Sequence, residues 1–341
     1  MHTRTLKAFA FSTFVLLAAV GLGCATPKAS VADTDKASCP SCTKPCAKPC
    51  AKPCKKALSL LPEGHVALGS LKVWPLSDGQ LQLQPALFLG VPSEEKLKLL
   101  GVETEESPLY TPLNVFLVES AERRILIDAG TGTFWGESSG QLASALQANN
   151  MALESINAVL LTHLHGDHFG GLLTEDMQSP RFPNATVWVH EAELAFWTGH
   201  AQPVPEAFAP MQEGVQRLVS VLGDKLKTFS QAKHELFPGI HAMHAPGHTP
   251  GHTLFMLASE GKKLLVTGDL IPNMRLHTVH PQAHFFFDVE PQTAATLRLQ
   301  WMEKAAQKGL WLASSHAPAP GIGRLEKQTD NTFTFVPIAQ P

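Results

Sequence analysis

"LLTHLHGDHFGG", residues 160–171, places three histidines and an aspartate within six positions, 163–168, directly after an apolar run and directly before two glycines. The preceding "INAVLLTH" reads as a short buried strand, so the cluster opens where a strand stops and the backbone is already held by a sheet. Neutral imidazoles and a carboxylate at this spacing suit zinc or another divalent transition metal. His163 and His165 share a face if the strand continues, and Asp167 and His168 follow a turn that Gly166 permits, so the motif can serve two neighbouring ions.

Three later segments repeat the arrangement. "HAPGHTPGHT" sets His248 at a glycine-bounded turn after a strand, "VTGDL" brings Asp269 to the end of another, and "ASSHAP" brings His316 to the end of a third. A single histidine would carry little weight, whereas ligand types gathered at the ends of several apolar strands are strong evidence as a set.

Working outward, "HVALGSLKVWPL" and "QLQLQPALFL" alternate or run apolar as strands do, and "LNVFLVES" with "RRILIDAG" reads as a hairpin turning at Ala121 and Glu122. Residues 139–149 have helical spacing. The second half repeats the order: "GIHAMHAPGH", "HTLFMLAS" and "KKLLVTGD" as strands, 291–308 as an amphipathic helix, "LWLASSHA" as a further strand. Two strand-plus-helix halves predict an α/β (α+β) domain over 58–341, with two mixed sheets face to face and helices outside.

Charge divides the chain. Residues 1–56 hold nine Lys/Arg against two Asp/Glu, and the rest eighteen against twenty-eight, so the domain is acidic and nucleic acid is excluded as a partner. Residues 1–25, basic and then continuously apolar, read as a secretory signal. The small residues of "GLGCA" allow cleavage before a lipidated Cys24 or after Ala25. The expectation is an exported protein, periplasmic or anchored by its N-terminal lipid. Residues 26–57 repeat "KPCA", "KPCA" and "KPCK", a proline density that forbids helix and gives an extended linker. Its five cysteines can form disulfides or bind a soft metal.

The signature of His163, His165, Asp167 and His168 with His248, Asp269 and His316 resembles the metallo-β-lactamase superfamily. "IDAGTGTFWG", "THLHGDHFGGL", "TGDLI" and "SSHAPAPGIG" are most similar to its methyl parathion hydrolase and lactonase branch. The resemblance implies a four-layer αββα sandwich with two divalent cations at one edge, zinc first, with manganese, cobalt and iron as alternatives. It implies that His163, His165 and His248 hold one ion, that Asp167, His168 and His316 hold the other, and that Asp269 bridges. The implied chemistry is attack by a hydroxide shared between the ions on an organophosphate triester, lactone or ester, with Asp269 and Asp167 as the catalytic carboxylates. Asp128 is expected to orient a ligand histidine, and His252 to hydrogen-bond without binding metal.

The substrate is expected to be a small molecule, and self-association is left open. Phe134, Trp135, Trp197 and Phe208 are the candidate pocket aromatics. Lactonases of the branch place a tyrosine soon after the bridging aspartate; this chain has Leu270, Ile271 and Pro272 there, and its only tyrosine is Tyr110. "RLHTVHPQAHFFFD" reads first as packing, with a substrate-side loop or a further metal site on His277, His280 and His284 as alternatives. A glyoxalase II-like thioester hydrolase shares the ligand set. A metal-sequestering lipoprotein with an idle domain is the reading from another class.

Overall fold

The computed structural model describes residues 58–230 and 233–340; the expected signal, Cys24 and the cysteine-rich linker lie outside them. In chain order the first half lays down β1 (Val66–Leu68), β2 (Leu71–Leu83), β3 (Phe88–Leu89), β4 (Leu109–Glu119), β5 (Arg124–Ile127), β6 (Ala158–Leu160), β7 (Thr186–His190) and β8 (Leu226–Phe229). The second half adds β9 (Lys233–Phe237), β10 (Ile240–His244), β11 (Thr253–Ser259), β12 (Lys262–Val266), β13 (His284–Phe285), β14 (Trp311–Ala313), β15 (Ile322–Lys327) and β16 (Phe333–Pro337). They form two seven-stranded sheets, ordered β1-β2-β4-β5-β6-β7-β8 and β16-β15-β14-β12-β11-β10-β9, and β13 pairs with β3 in a small ribbon.

Three apolar clusters define the layers. Between the sheets, Val73, Phe116, Ile127 and Leu160 of the first meet Phe255, Leu257, Leu264 and Ile322 of the second. On the outer face of the first sheet, Leu117, Leu126 and Val159 are covered by α1 (Leu142–Ala148), α2 (Glu191–Trp197) and α3 (Ala209–Leu222) through Leu146, Phe196, Val215 and Leu218. On the outer face of the second, Leu254, Leu265 and Leu312 are covered by Met302 and Ala305 of α4 (Pro291–Lys308). The order is helix, sheet, sheet, helix, as the repeated halves imply. β6 is buried on both faces, and this is why "INAVLL" shows no alternation.

The sequence reading separates two strands near residue 76, whereas the structure has one, β2, that bends. Its pairing with β4 shifts register between Ser77 and Gly79, so Asp78 has no partner across the ladder. Such a bulge re-aims a side chain. The fully buried Asp78 carboxylate accepts the backbone N–H groups of Thr131 (2.9 Å), Gly140 (3.1 Å) and Leu142 (2.7 Å). It thereby secures both the glycine-rich loop after β5 and the first residue of α1.

Candidate metal centre

All four chain segments that carry the expected ligands end at one rim of the sandwich. His163 and His165 follow β6, His248 follows β10, Asp269 follows β12 and His316 follows β14. The strand does not continue through the motif, since β6 stops at Leu160. Leu161 N–H still donates to Trp188, and Thr253 N–H to Thr162, so the extended path is tied to both sheets.

The side chains converge in two groups. His163 Nε2 lies 3.0 Å from His165 Nδ1, which lies 2.9 Å from His248 Nε2. Asp167, His168, Asp269 and His316 form the second group, and within each group the ligand atoms lie within 4.8 Å of one another. Asp269 reaches both. Its Oδ1 is 3.1 Å from His168 Nε2 and 3.1 Å from His316 Nε2, and its Oδ2 is 3.3 Å from His248 Nε2.

The outer nitrogens fix which ring atoms face inward. His168 Nδ1 sits 2.9 Å from Asp128 Oδ2, His248 Nδ1 2.8 Å from Asp288 Oδ1, and His316 Nδ1 3.0 Å from the Pro112 carbonyl. Because each partner can only accept, each Nδ1 carries the proton and each neutral ring turns its Nε2 lone pair to the carboxylates. Lone pairs and anionic oxygens this close repel unless a cation or protons lie between them. His165 Nε2, His168 Nε2 and Asp269 Oδ1 are buried without a hydrogen bond. A donor set of imidazole and carboxylate so oriented fits two divalent transition metals.

Electrostatics separates the two groups. Burial, reinforced by neighbouring imidazoles, pushes His163 and His165 well below the usual histidine range. Burial also opposes charge on His168, yet Asp167, Asp269 and Asp128 outweigh it and hold that ring well above its usual value. His248 is raised against burial to about 9 by Asp269 and Asp288. In the metal-free protein, protons therefore occupy positions that a cation would take.

Several buried groups hold the ligands in place. Asp128 takes up φ +64°, a left-handed conformation that Asp tolerates better than most residues, and also accepts Thr162 N–H at 2.8 Å. His252 Nε2 accepts the Asp269 N–H at 3.1 Å and its Nδ1 faces the Ala245 carbonyl; burial lowers it to about 3, so it stays neutral. Gly268 has φ +47°, and a Cβ there would lie 2.8 Å from His252 Nε2 and from Thr162 Cβ. Asn114 Nδ2 donates to the carbonyls of Ser314, Ser315 and Ala317, which frame His316.

Glu193, Asp288 and Arg298 do not emerge from sequence reasoning. Glu193 accepts Leu164 N–H (2.8 Å) and Trp197 Nε1–H (2.7 Å) on one oxygen and Gly251 N–H (2.9 Å) on the other, joining the two histidine loops. Asp288 closes "HFFFD", and Arg298 interrupts the buried stripe of Ala294, Ala295, Met302 and Ala305 on α4. That interruption was the available signal.

Over the cluster lies a cleft whose other walls are Leu81, Leu83, Trp135, Met211, Pro272, Phe285 and Phe287. Of the expected pocket aromatics, Trp135 lines it. Phe134 turns away, packing edge-on against Phe169 at 5.1 Å in the core beneath the first sheet, where Gly214 leaves room for its ring. Trp197 is wholly buried, edge-on to His165 at 5.5 Å, and supports that ring from behind. Phe208 is buried against Phe287, ring centroids 6.0 Å apart. Instead the wall is supplied by Phe285 and Phe287, from the stretch read first as packing. Its three histidines diverge: His277 Nδ1 faces the Asn273 carbonyl, His280 pairs with Glu95 and His284 with Gln292. Tyr110 is 56% exposed on β4 and does not line the cleft.

The sequence profile of the metallo-β-lactamase superfamily matches residues 111–316, and known proteins agree. The crystal structure of hydrolase AbOPH, of the β-lactamase superfamily, superposes with TM-score 0.74 at 28% identity, covering 81% of this chain and 97% of that one. AidC, a dizinc quorum-quenching lactonase in complex with a product, gives 0.73 at 26% identity over the same shares. A hydroxyacylglutathione hydrolase of Vibrio parahaemolyticus is 29% identical over 171 residues, 50% of this chain and 51% of that protein. An uncharacterized protein of Bacillus subtilis, YobT, is 30% identical over 48% of this chain, a match spanning 63% of its own length. With its sandwich, its strand-end ligands and the profile match across most of the domain, this chain belongs to the metallo-β-lactamase superfamily of metal-dependent hydrolases.

Proposed function

We propose that the domain is a dinuclear hydrolase of small, uncharged, apolar esters, with aryl phosphotriesters and lactones as the substrate classes. The observation that carries this reading is the cleft: its walls beside the ligand cluster are aliphatic and aromatic, with no Lys or Arg among them. When bound, two divalent cations supply Lewis acidity and a water ionisable near neutral pH. His163, His165 and His248 would hold one, Asp167, His168 and His316 the other, and Asp269 would touch both.

This chain's own residues then have defined tasks. Asp128, Asp288 and the Pro112 carbonyl keep three imidazoles in one tautomer, so the site needs little rearrangement during reaction. Trp135, Phe285 and Phe287 exclude water and seat the apolar part of a substrate against the ligands. Among the described residues that line the cleft there is no tyrosine, lysine or serine to protonate a departing oxygen. Substrates with good leaving groups, such as aryl esters and aryl phosphotriesters, are therefore favoured, in line with the methyl parathion hydrolase resemblance. The likeness to a dizinc lactonase supports zinc and supports lactones as the neighbouring substrate class.

A thioester hydrolase is the second reading, favoured by the likeness to hydroxyacylglutathione hydrolase. A tripeptide thioester carries carboxylates that this apolar cleft would desolvate without a counter-charge. The test is metal analysis of the purified protein with a panel of aryl phosphotriesters, aryl esters, acyl-homoserine lactones and S-lactoylglutathione. Turnover led by the first three supports the proposal, and preference for the last replaces it. Export through residues 1–25 is part of the proposal, supported by their sequence alone and checked by the mass of the mature N-terminus.

A further inference from the structure

We infer that Arg298 is a positioning residue that couples one metal-ligand group to the substrate wall, an inference that rests on the dinuclear reading above. Arg298 lies inside α4 with its guanidinium completely buried. Its helical neighbours on the same face are Ala294, Ala295, Met302 and Ala305, so an aliphatic side chain would suit the position by packing alone. A cation kept at such a place must be satisfied by specific partners. Arg298 has four: Nε donates to the Leu270 carbonyl at 2.8 Å, Nη1 to those of Pro281 at 2.9 Å and Ala283 at 2.6 Å, and Nη2 to Asp288 Oδ2 at 3.3 Å.

Each partner leads to a different part of the site. Leu270 adjoins Asp269, the carboxylate that faces both ligand groups. Pro281 and Ala283 begin the turn that delivers Phe285 and Phe287 to the cleft. Asp288 uses Oδ1 on His248 Nδ1, and its Oδ2 also accepts the Phe285 N–H at 3.0 Å. One planar fork thus fixes a bridging carboxylate, a ligand histidine and the aromatic wall together. A lysine cannot do this, because its three donors share one nitrogen whereas these four acceptors are met by three separate nitrogens of the guanidinium.

The test uses the full-length protein loaded with cobalt, whose visible spectrum reports ligand geometry. Wild type, Asp288→Asn, Arg298→Lys and Arg298→Met are compared for cobalt stoichiometry, affinity, spectrum, kcat and KM on an aryl ester. Asp288→Asn is expected to weaken one of the two cobalt equivalents about 10–100-fold, the usual cost of a lost outer partner, and to raise KM less than the Arg298 variants do, since the Pro281 and Ala283 carbonyls keep their donor. Arg298→Met is expected to weaken the same equivalent and also raise KM about fivefold or more, since the wall is released too. Arg298→Lys should recover part of the affinity and none of the KM. If Arg298→Met does not fold, the split between Arg298→Lys and Asp288→Asn decides: a shared affinity loss with KM raised more in Arg298→Lys than in Asp288→Asn supports the coupling, and the reverse order overturns it. Arg298 variants that fold, bind two cobalts as wild type does and keep both spectrum and KM would overturn it. A wild type that takes up no cobalt would overturn the dinuclear reading itself, and is told apart because it needs no variant.

Discussion

The floor and the wall of the cleft are built by opposite means. The floor is the cluster of seven histidine and aspartate side chains carried by the segments that follow β6, β10, β12 and β14, and His168, His248 and His316 are each braced by a polar acceptor behind the ring. The wall consists of apolar side chains from β2, the loop after β5, α3, the loop after β12 and the β13 turn; these side chains are held by packing, even where the backbone behind them is hydrogen-bonded, as at Phe285. Polar bracing is directional, and so it defines atoms; apolar bracing is not, and so it defines only volume. The floor is therefore expected to tolerate almost no change, and the wall to trade one substrate for another.

Substituting Asp269→Asn tests that contrast most severely. It should lose the metal pair and about a thousandfold in kcat/KM, since several kcal/mol of charge stabilisation convert at about 1.4 kcal/mol per tenfold. Full activity in Asp269→Asn, measured beside metal content, would refute a two-metal floor. Metal affinity should also respond steeply to pH. His248, raised to about 9 in the metal-free protein, must shed its proton before it can ligate, so binding releases protons and affinity falls about tenfold per unit as pH drops below about 9. Cobalt titrations at several pH values would show it, and a flat profile between pH 7 and 9 would contradict the protonated cluster.

Trp197 sharpens the boundary between floor and wall. Sequence reasoning makes it a pocket residue whose loss alters substrate preference, but its complete burial behind His165 predicts instead that Trp197→Ala costs about 3–5 kcal/mol of stability, seen as a lower Tm. A stable Trp197→Ala variant with changed substrate ranking would return it to the wall. Phe287→Ala should leave metal content intact and reduce kcat/KM for aryl substrates by about 1–3 kcal/mol, while less bulky esters lose little. Tyr110→Phe should change turnover less than about twofold, because Tyr110 points to solvent. A large loss there would mean that a phenolic donor reaches the substrate after all.

The difference between floor and wall also governs what could be read from the chain. The seven ligands stand out because strand ends combine apolar runs with histidine and aspartate, a local pattern. Asp128 was readable as an orienting group for the same reason, at the end of "RRILIDAG". Glu193, Asp288 and Arg298 were not, since none of them closes an apolar strand run: Glu193 and Arg298 lie inside helices, and Asp288 follows the two-residue strand β13. Among the aromatics the sequence could not say which ring faces the cleft. Phe134 and Trp135 are adjacent, yet one enters the core and the other lines the wall. The bend at Asp78 was invisible for a related reason, since a bulge is defined by the register of the partner strand.

The sequence by itself determined the layers, the ligand types and their places at strand ends, because hydrophobic period and residue chemistry are local properties of a chain. Only the tertiary structure decided which imidazole nitrogen turns inward, which buried carboxylate and guanidinium lie behind it, and which rings line the cleft. Those are facts of direction and close contact between segments far apart in sequence, and direction exists only once the sheets have packed.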